Sequence, residues 1–182
     1  MTNFFFSDYL NELNKCISEI ENDSLLNLSN KIVEISKRKN KIILIGNGGS
    51  AAMASHVAVD FTKTCGLRAI NFNEADLITC LANDYGYELW AAKALEFYAD
   101  EGDLIILVSS SGMSKNIINA ASYAQEQNLE LITFSGFSKN NDLRKMGTKN
   151  FWVNNSKYNI VEMTHHCWLL SINDHILNIK NK

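Results

Sequence analysis

Apolar positions at helical spacing dominate the first forty residues. Tyr9, Leu10, Leu13, Ile17 and Ile20 recur every three or four positions, which predicts an amphipathic helix with Ser7 as its N-cap. The polar break Glu21, Asn22, Asp23, Ser24 separates it from a second helical run over 25–37. The period then changes. Residues 41–45 form a short continuous apolar run that ends in Gly46, Asn47, Gly48, Gly49, Ser50. Such a run reads as a parallel strand buried on both faces and feeding a glycine loop. Helical spacing resumes over 51–63, 89–100, 115–128 and 161–179, with apolar runs at 67–72, 104–109, 129–134 and, more weakly, 150–153. Strands alternating with helices predict an α/β fold. It is a three-layer open parallel sheet with helices on both faces, preceded by N-terminal helices. No repeat or linker interrupts the pattern, so the reading is one domain over 1–182, with a helical segment 1–40 and an α/β core 41–182.

Composition narrows the function classes. The chain has 182 residues, 46% of them hydrophobic, and a formal net charge of −3. That charge gives no global field for nucleic acid or an anionic membrane, and the basic run 37–41 reads as a solvated helix end. No apolar stretch approaches the ~20 residues of a membrane helix. The N-terminal residues 1–12 lack the basic start of a signal peptide. Cys16, Cys65, Cys80 and Cys167 form no CxxC pair and read as buried thiols of a reducing compartment. The expected location is the cytoplasm.

Two strand ends are built for an anion. In Gly46, Asn47, Gly48, Gly49, Ser50, glycines let the backbone approach a ligand and the next helix offers free N–H groups. After the strand 104–109 comes Ser109, Ser110, Ser111, Gly112, Met113, Ser114. Its four hydroxyls and backbone amides at one helix start can surround a phosphate. No Lys or Arg lies within it, which suits a small phosphate ester held by neutral donors. A GxGxxG fingerprint is absent because Ala51 follows Ser50, and no GK[ST] follows the glycines.

The glycine loop with His56 (GNGGSAAMASH), the segment Ala82, Asn83, Asp84, Tyr85, Gly86, Tyr87, Glu88, and the serine loop together resemble the bacterial phosphoheptose isomerases. These are sedoheptulose-7-phosphate isomerases of the SIS (sugar isomerase) fold. The resemblance runs from about residue 41 to 179. It implies that Asn47, Gly48, Gly49 and Ser50 line the substrate site, that Asn83 and Asp84 bind sugar hydroxyls, and that Ser109, Ser110, Ser111 and Ser114 hold the phosphate. It also implies that His56 ligates a zinc ion, with Asp60 where the family has a glutamate that ligates zinc and serves in catalysis. A homotetramer with sites near subunit boundaries, and heptose synthesis for lipopolysaccharide or capsule, are further implications. Phe4, Phe5 and Phe6 are candidates for burial against another subunit.

On spacing alone, His56 and Asp60 stand i, i+4 on one helix face and can reach one metal or one substrate. Asp84 and Glu88 share that spacing. The last helix departs from the family. There the family reads Gln-Glu-x-His with a second His about a turn later, whereas this chain reads Val161, Glu162, Met163, Thr164, His165, His166, Cys167, Trp168, Leu169, Leu170. The final histidine is replaced by Leu169 or Leu170, depending on register. Glu162, His165 and His166 still make one polar patch at i, i+3 and i+4 of an otherwise apolar helix. This favours a rearranged site with Asp60 as base or metal ligand, His165 as its catalytic partner, and His56, Asp60, Glu162 and His165 around zinc. His175 reads as structural. The leading expectation is an isomerase of heptose phosphates. The alternative is a non-catalytic sugar-phosphate-binding or initiator-binding assembly protein on the same scaffold.

Overall fold

A computed structural model describes residues 4–180. Among these, two helices come first, α1 (Phe5–Ser18) and α2 (Asn22–Lys37). The core continues with β1 (Ile42–Ile45), α3 (Gly48–Lys63), β2 (Ala69–Asn71), α4 (Ala75–Tyr85), α5 (Trp90–Tyr98) and β3 (Leu104–Ser109). It ends with α6 (Lys115–Glu126), β4 (Glu130–Ser135), a 3-10 turn (Leu143–Lys145), β5 (Lys149–Trp152) and α7 (Tyr158–Lys180).

All strand pairs are parallel, in the order β2-β1-β3-β4-β5. Side chains alternate across the sheet. Ile42 and Leu44 of β1, with Leu104, Ile106 and Val108 of β3, pack under α1, α2, α3 and α7. Ile43, Ile45, Ile105 and Leu107 pack under α4, α5 and α6. This is the expected three-layer α/β architecture. The strand order reverses between β1 and β3, so the loops leaving these neighbouring strands diverge to opposite faces. The crevice between them is where open parallel sheets bind ligands.

Local differences from the sequence reading have physical causes. Ser7 does not cap α1; the helix starts at Phe5, and Ser7 Oγ donates to the Phe4 carbonyl at 2.8 Å. The polar residues 22–24 form the first turn of α2, where such residues are well tolerated. Lys41 is buried rather than solvated, because its ammonium pairs with Asp100 and with the fully buried Asp103. Cys16 and Cys65 are buried as expected, but Cys80 and Cys167 are exposed. No helix among the described residues is long and apolar enough to cross a membrane.

Candidate active site

The β1–α3 and β3–α6 loops meet over the crevice. A cavity of about 80 Å³ there is lined by Asn47, Ser50, Val108, Ser109, Ser110, Ser111, Ser114, Tyr158 and Glu162. Ser109 Oγ donates to Ser114 Oγ at 3.1 Å, and the hydroxyls of Ser50 and Ser110 are 3.5 Å apart across the two loops. The serine loop is anchored from behind. Gly136 N–H donates to the Ser110 carbonyl at 2.9 Å, and Leu143 N–H to the Gly112 carbonyl at 3.1 Å.

The two helix starts are left open toward the cavity. Asn47 is the N-cap of α3 and Ser114 that of α6, both residue types that ordinarily cap. Neither side chain caps its helix. Asn47 instead exchanges two 2.9 Å amide hydrogen bonds with Asn116, and Ser114 receives the Ser109 hydroxyl. No side-chain cap therefore takes the first-turn N–H groups, although Ile117 N–H turns back to the Ser114 carbonyl at 3.0 Å, and each helix start carries roughly half a positive charge. Two converging positive helix ends and a ring of hydroxyls have the chemistry to hold one phosphate without Lys or Arg.

Asn47, Ser50 and the four serines thus come together, with Gly48 and Gly49 in the first turn of α3. Gly49 has a specific task. A Cβ there would collide with the Glu162 carboxyl, so glycine lets that side chain lie against the start of α3. Asn83 and Asp84 do not line the cavity. They sit exposed on the last turn of α4, where Asn83 Nδ2 donates to Asp84 Oδ1 at 2.9 Å. Their segment still borders the site, because Tyr87 OH donates to Asn47 Oδ1 at 3.4 Å. Asp84 and Glu88 share no helix face. α4 stops at Gly86 with φ +87°, and Glu88 pairs with Lys115 at 2.9 Å. Asn116 and Tyr158 escape a reading of the sequence, since a single polar or aromatic residue at a helix start carries no periodic signal, and Tyr87 stands out there only as part of the segment that carries the resemblance.

A family model for the SIS domain matches residues 6–136. The phosphoheptose isomerase of Aneurinibacillus thermoaerophilus is 32% identical over 146 residues, 75% of this chain and 74% of that protein. The chain belongs to the phosphoheptose isomerase family of SIS-domain proteins. The phosphoheptose isomerase of Fusobacterium nucleatum is 37% identical over 114 residues, 60% of this chain but only 59% of that protein's length. The solved phosphoheptose isomerase of Francisella tularensis shares the fold, with a TM-score of 0.87 at 20% identity over 98% of this chain and 99% of that one.

α3 and α7 pack side by side and run in the same direction, with Glu162 at Gly49, His166 at His56, and Asn173 at Thr64. The expected patch of Glu162, His165 and His166 splits accordingly. Glu162 lines the cavity between the two loops. His166 Nε2 lies 3.0 Å from His56 Nδ1, and His56 Nε2 lies 3.3 Å from Asp60 Oδ2. His165 points into the core, 0% exposed, between the rings of Phe134 and Trp168, with Nε2 at 3.1 Å from the Ser135 carbonyl. Burial holds its pKa at about 4. The expectation of His165 as catalytic partner is corrected: it packs beneath the sheet rather than in the cleft, because α7 turns that face inward.

A shared zinc site fails for the same reason. A zinc centre needs donor lone pairs aimed at one point. Here His56 and Asp60 are paired on the α3/α7 seam, Glu162 is at the cavity and His165 is in the core. His56 also commits its two ring nitrogens in opposite directions. No group of three or more His, Cys, Asp or Glu among the described residues is arranged to hold a metal ion.

Burial raises the Glu162 carboxyl above the usual carboxylate range, opposed by a hydrogen bond from Ser110. The folded protein therefore holds this proton more tightly than the unfolded chain. The side chain carries no penalty below the unfolded pKa, and it lowers stability as pH rises through its raised folded pKa. An ionised Glu162 also repels a phosphate in the same cavity. Glu162→Gln is expected to raise the melting temperature at pH 7 and to tighten inorganic phosphate binding by about tenfold, roughly 1.4 kcal/mol. Titration calorimetry showing weaker binding would mean that the carboxyl assists the ligand.

Proposed function

We propose that the protein is an aldose–ketose isomerase of sugar phosphates, with sedoheptulose 7-phosphate as its substrate. The observation that carries this reading is the meeting of two uncapped helix starts and the serine hydroxyls in one phosphate-sized cavity, with imidazole and carboxylate groups farther along the same helix pair. Isomerisation needs a fixed phosphate to orient the reacting carbons and a base beside them to move a proton. The names of the relatives support this reaction.

Geometry supports the substrate's length. His166 stands four residues beyond Glu162 and His56 seven beyond Gly49, so the imidazoles lie roughly 6–10 Å from the phosphate cavity along the helices. In an extended heptulose 7-phosphate, seven bonds separate C2 from phosphorus, about 9 Å at roughly 1.3 Å of advance per bond. A triose phosphate spans less than half of that. The cavity takes only the phosphate, and the sugar runs from its mouth along the α3/α7 seam.

Heptose synthesis for a surface polysaccharide, a cytoplasmic location and a homotetramer complete the reading. Assembly is supported by apolar side chains on the surface: Phe4 and Phe6 are 63% and 75% exposed, and Val59 and Met163 flank the imidazoles with 58% and 49% exposure. Sedoheptulose 7-phosphate is expected to be converted to an aldose 7-phosphate, while triose phosphates compete for the site without being turned over. Turnover of triose phosphates at a similar rate would contradict the length argument.

A further inference from the structure

The row of side chains on the α3/α7 seam is not used by the phosphate site. His166, His56 and Asp60 are linked at 3.0 and 3.3 Å, and the two rings meet edge to face with centroids 4.9 Å apart. The chemistry of the groups places the protons. A carboxylate only accepts, so Asp60 takes the His56 Nε2–H. Neutral His56 then offers the lone pair of Nδ1, which takes the His166 Nε2–H. His166 is left with an unprotonated Nδ1 that no described residue engages. An imidazole whose far N–H is held through a second imidazole to a carboxylate is oriented as a base; burial and the neighbouring His56 lower its pKa, and the Asp60 carboxylate opposes that shift. The third group of a Ser-His-Asp triad does the same work.

Resting on the isomerase reading above, we propose that His166 carries the sugar's proton between C1 and C2, positioned by His56 and Asp60, and that this chain does so without a metal ion. In the ketose-to-aldose direction Nδ1 takes a proton from C1. The C–H electron pair becomes the C1=C2 bond of an enediol, and O2 takes a proton from solvent. The same nitrogen returns its proton to C2, and the O1–H proton leaves to solvent as C1=O forms. One C–H proton and one O–H proton have moved, and the sugar has neither gained nor lost electrons. Position favours this assignment. His166 lies one turn beyond the cavity-lining Glu162, and the His56 side chain is 50% exposed, so the row opens to the outside beside the path of the sugar.

The test uses the whole protein stripped with EDTA, its residual metal measured by elemental analysis. It is placed in D2O with sedoheptulose 7-phosphate, and deuterium at C1 and C2 is followed by NMR. The stripped protein is expected to exchange and turn over as fast as the untreated one. His166→Ala should lose about a thousandfold in both rates, with inorganic phosphate binding unchanged. Asp60→Asn should shift the His56 tautomer seen by 15N NMR, which a bystander carboxylate would not do. The proposal is overturned if stripping abolishes exchange and zinc restores it, or if His166→Ala keeps the wild-type rate. Wild type that turns over alongside an equally active His166→Ala sinks only the role of His166. Wild type that binds the sugar phosphate but neither exchanges nor turns over, with or without zinc, sinks the isomerase reading and this proposal together.

Discussion

Gly112→Ala is expected to remove sugar-phosphate binding and to destabilise the fold by about 2–4 kcal/mol. Gly112 sits in the middle of the serine loop with φ +67°, a left-handed conformation that strains any residue with a Cβ. A Cβ there would also strike the Asn141 side chain. Asn141 cannot retreat easily. It is 2% exposed, its amide donates to Ser135 Oγ, to the Gly136 carbonyl and to the Ser138 carbonyl, and its Oδ1 accepts from Arg144 N–H. The substitution therefore moves the loop, and with it Ser111 and Ser114, out of register with the α3 start. Because a domain has only about 5–15 kcal/mol in total, a thermal melt reads the stability loss directly. Calorimetry with inorganic phosphate should show binding weakened more than a hundredfold, roughly 3 kcal/mol. A variant that binds as tightly as wild type would place the phosphate elsewhere.

Acid is expected to cost the protein about 3 kcal/mol between pH 6.5 and 4 through His165 alone. The ring is buried neutral, with a pKa lowered from 6.5 to about 4. Above the unfolded pKa both states are neutral and the group adds no pH dependence. As pH falls from 6.5, the unfolded chain takes up a proton that the folded core refuses, so stability drops until about pH 4. Urea melts from pH 7 to 4 should show this slope, and His165→Leu, which cannot titrate, should flatten it by that amount. The same variant should keep its turnover at pH 7, since the ring touches only the core. A His165→Leu protein that stays folded yet has lost all turnover would return His165 to the chemistry.

The sheet and both phosphate loops are legible in the sequence because each is announced by a local pattern. Apolar runs of four to six residues mark β1, β3 and β4, and the glycines and serines mark the loops that leave β1 and β3. Helix α4 is not read from the sequence, although Leu77, Ile78, Leu81 and Ala82 stand at helical spacing and pack on the core; the helix is short and lies between the three-residue strand β2 and the turn at Gly86. The polar patch on α7 is legible as a patch but not in its orientation. Consecutive helix positions point about 100° apart, so His165 and His166 go to opposite environments. Spacing alone cannot say which of the two faces the sheet. That choice comes from Phe134 and Trp168, which enclose His165, and from His56, which receives His166 across the seam. The i, i+4 pairing of His56 with Asp60 is legible in full, because one straight helix supplies both.

A crystal soaked with sedoheptulose 7-phosphate would locate the substrate directly. Phosphorus should sit in the crevice, its oxygens within hydrogen-bond distance of the Ser109, Ser111 and Ser114 hydroxyls and of first-turn N–H groups of α3 and α6. The sugar's C1 and C2 should lie beside His166 on the α3/α7 seam. A phosphate bound away from the serine loop, or a carbonyl end directed away from that seam, would contradict this placement.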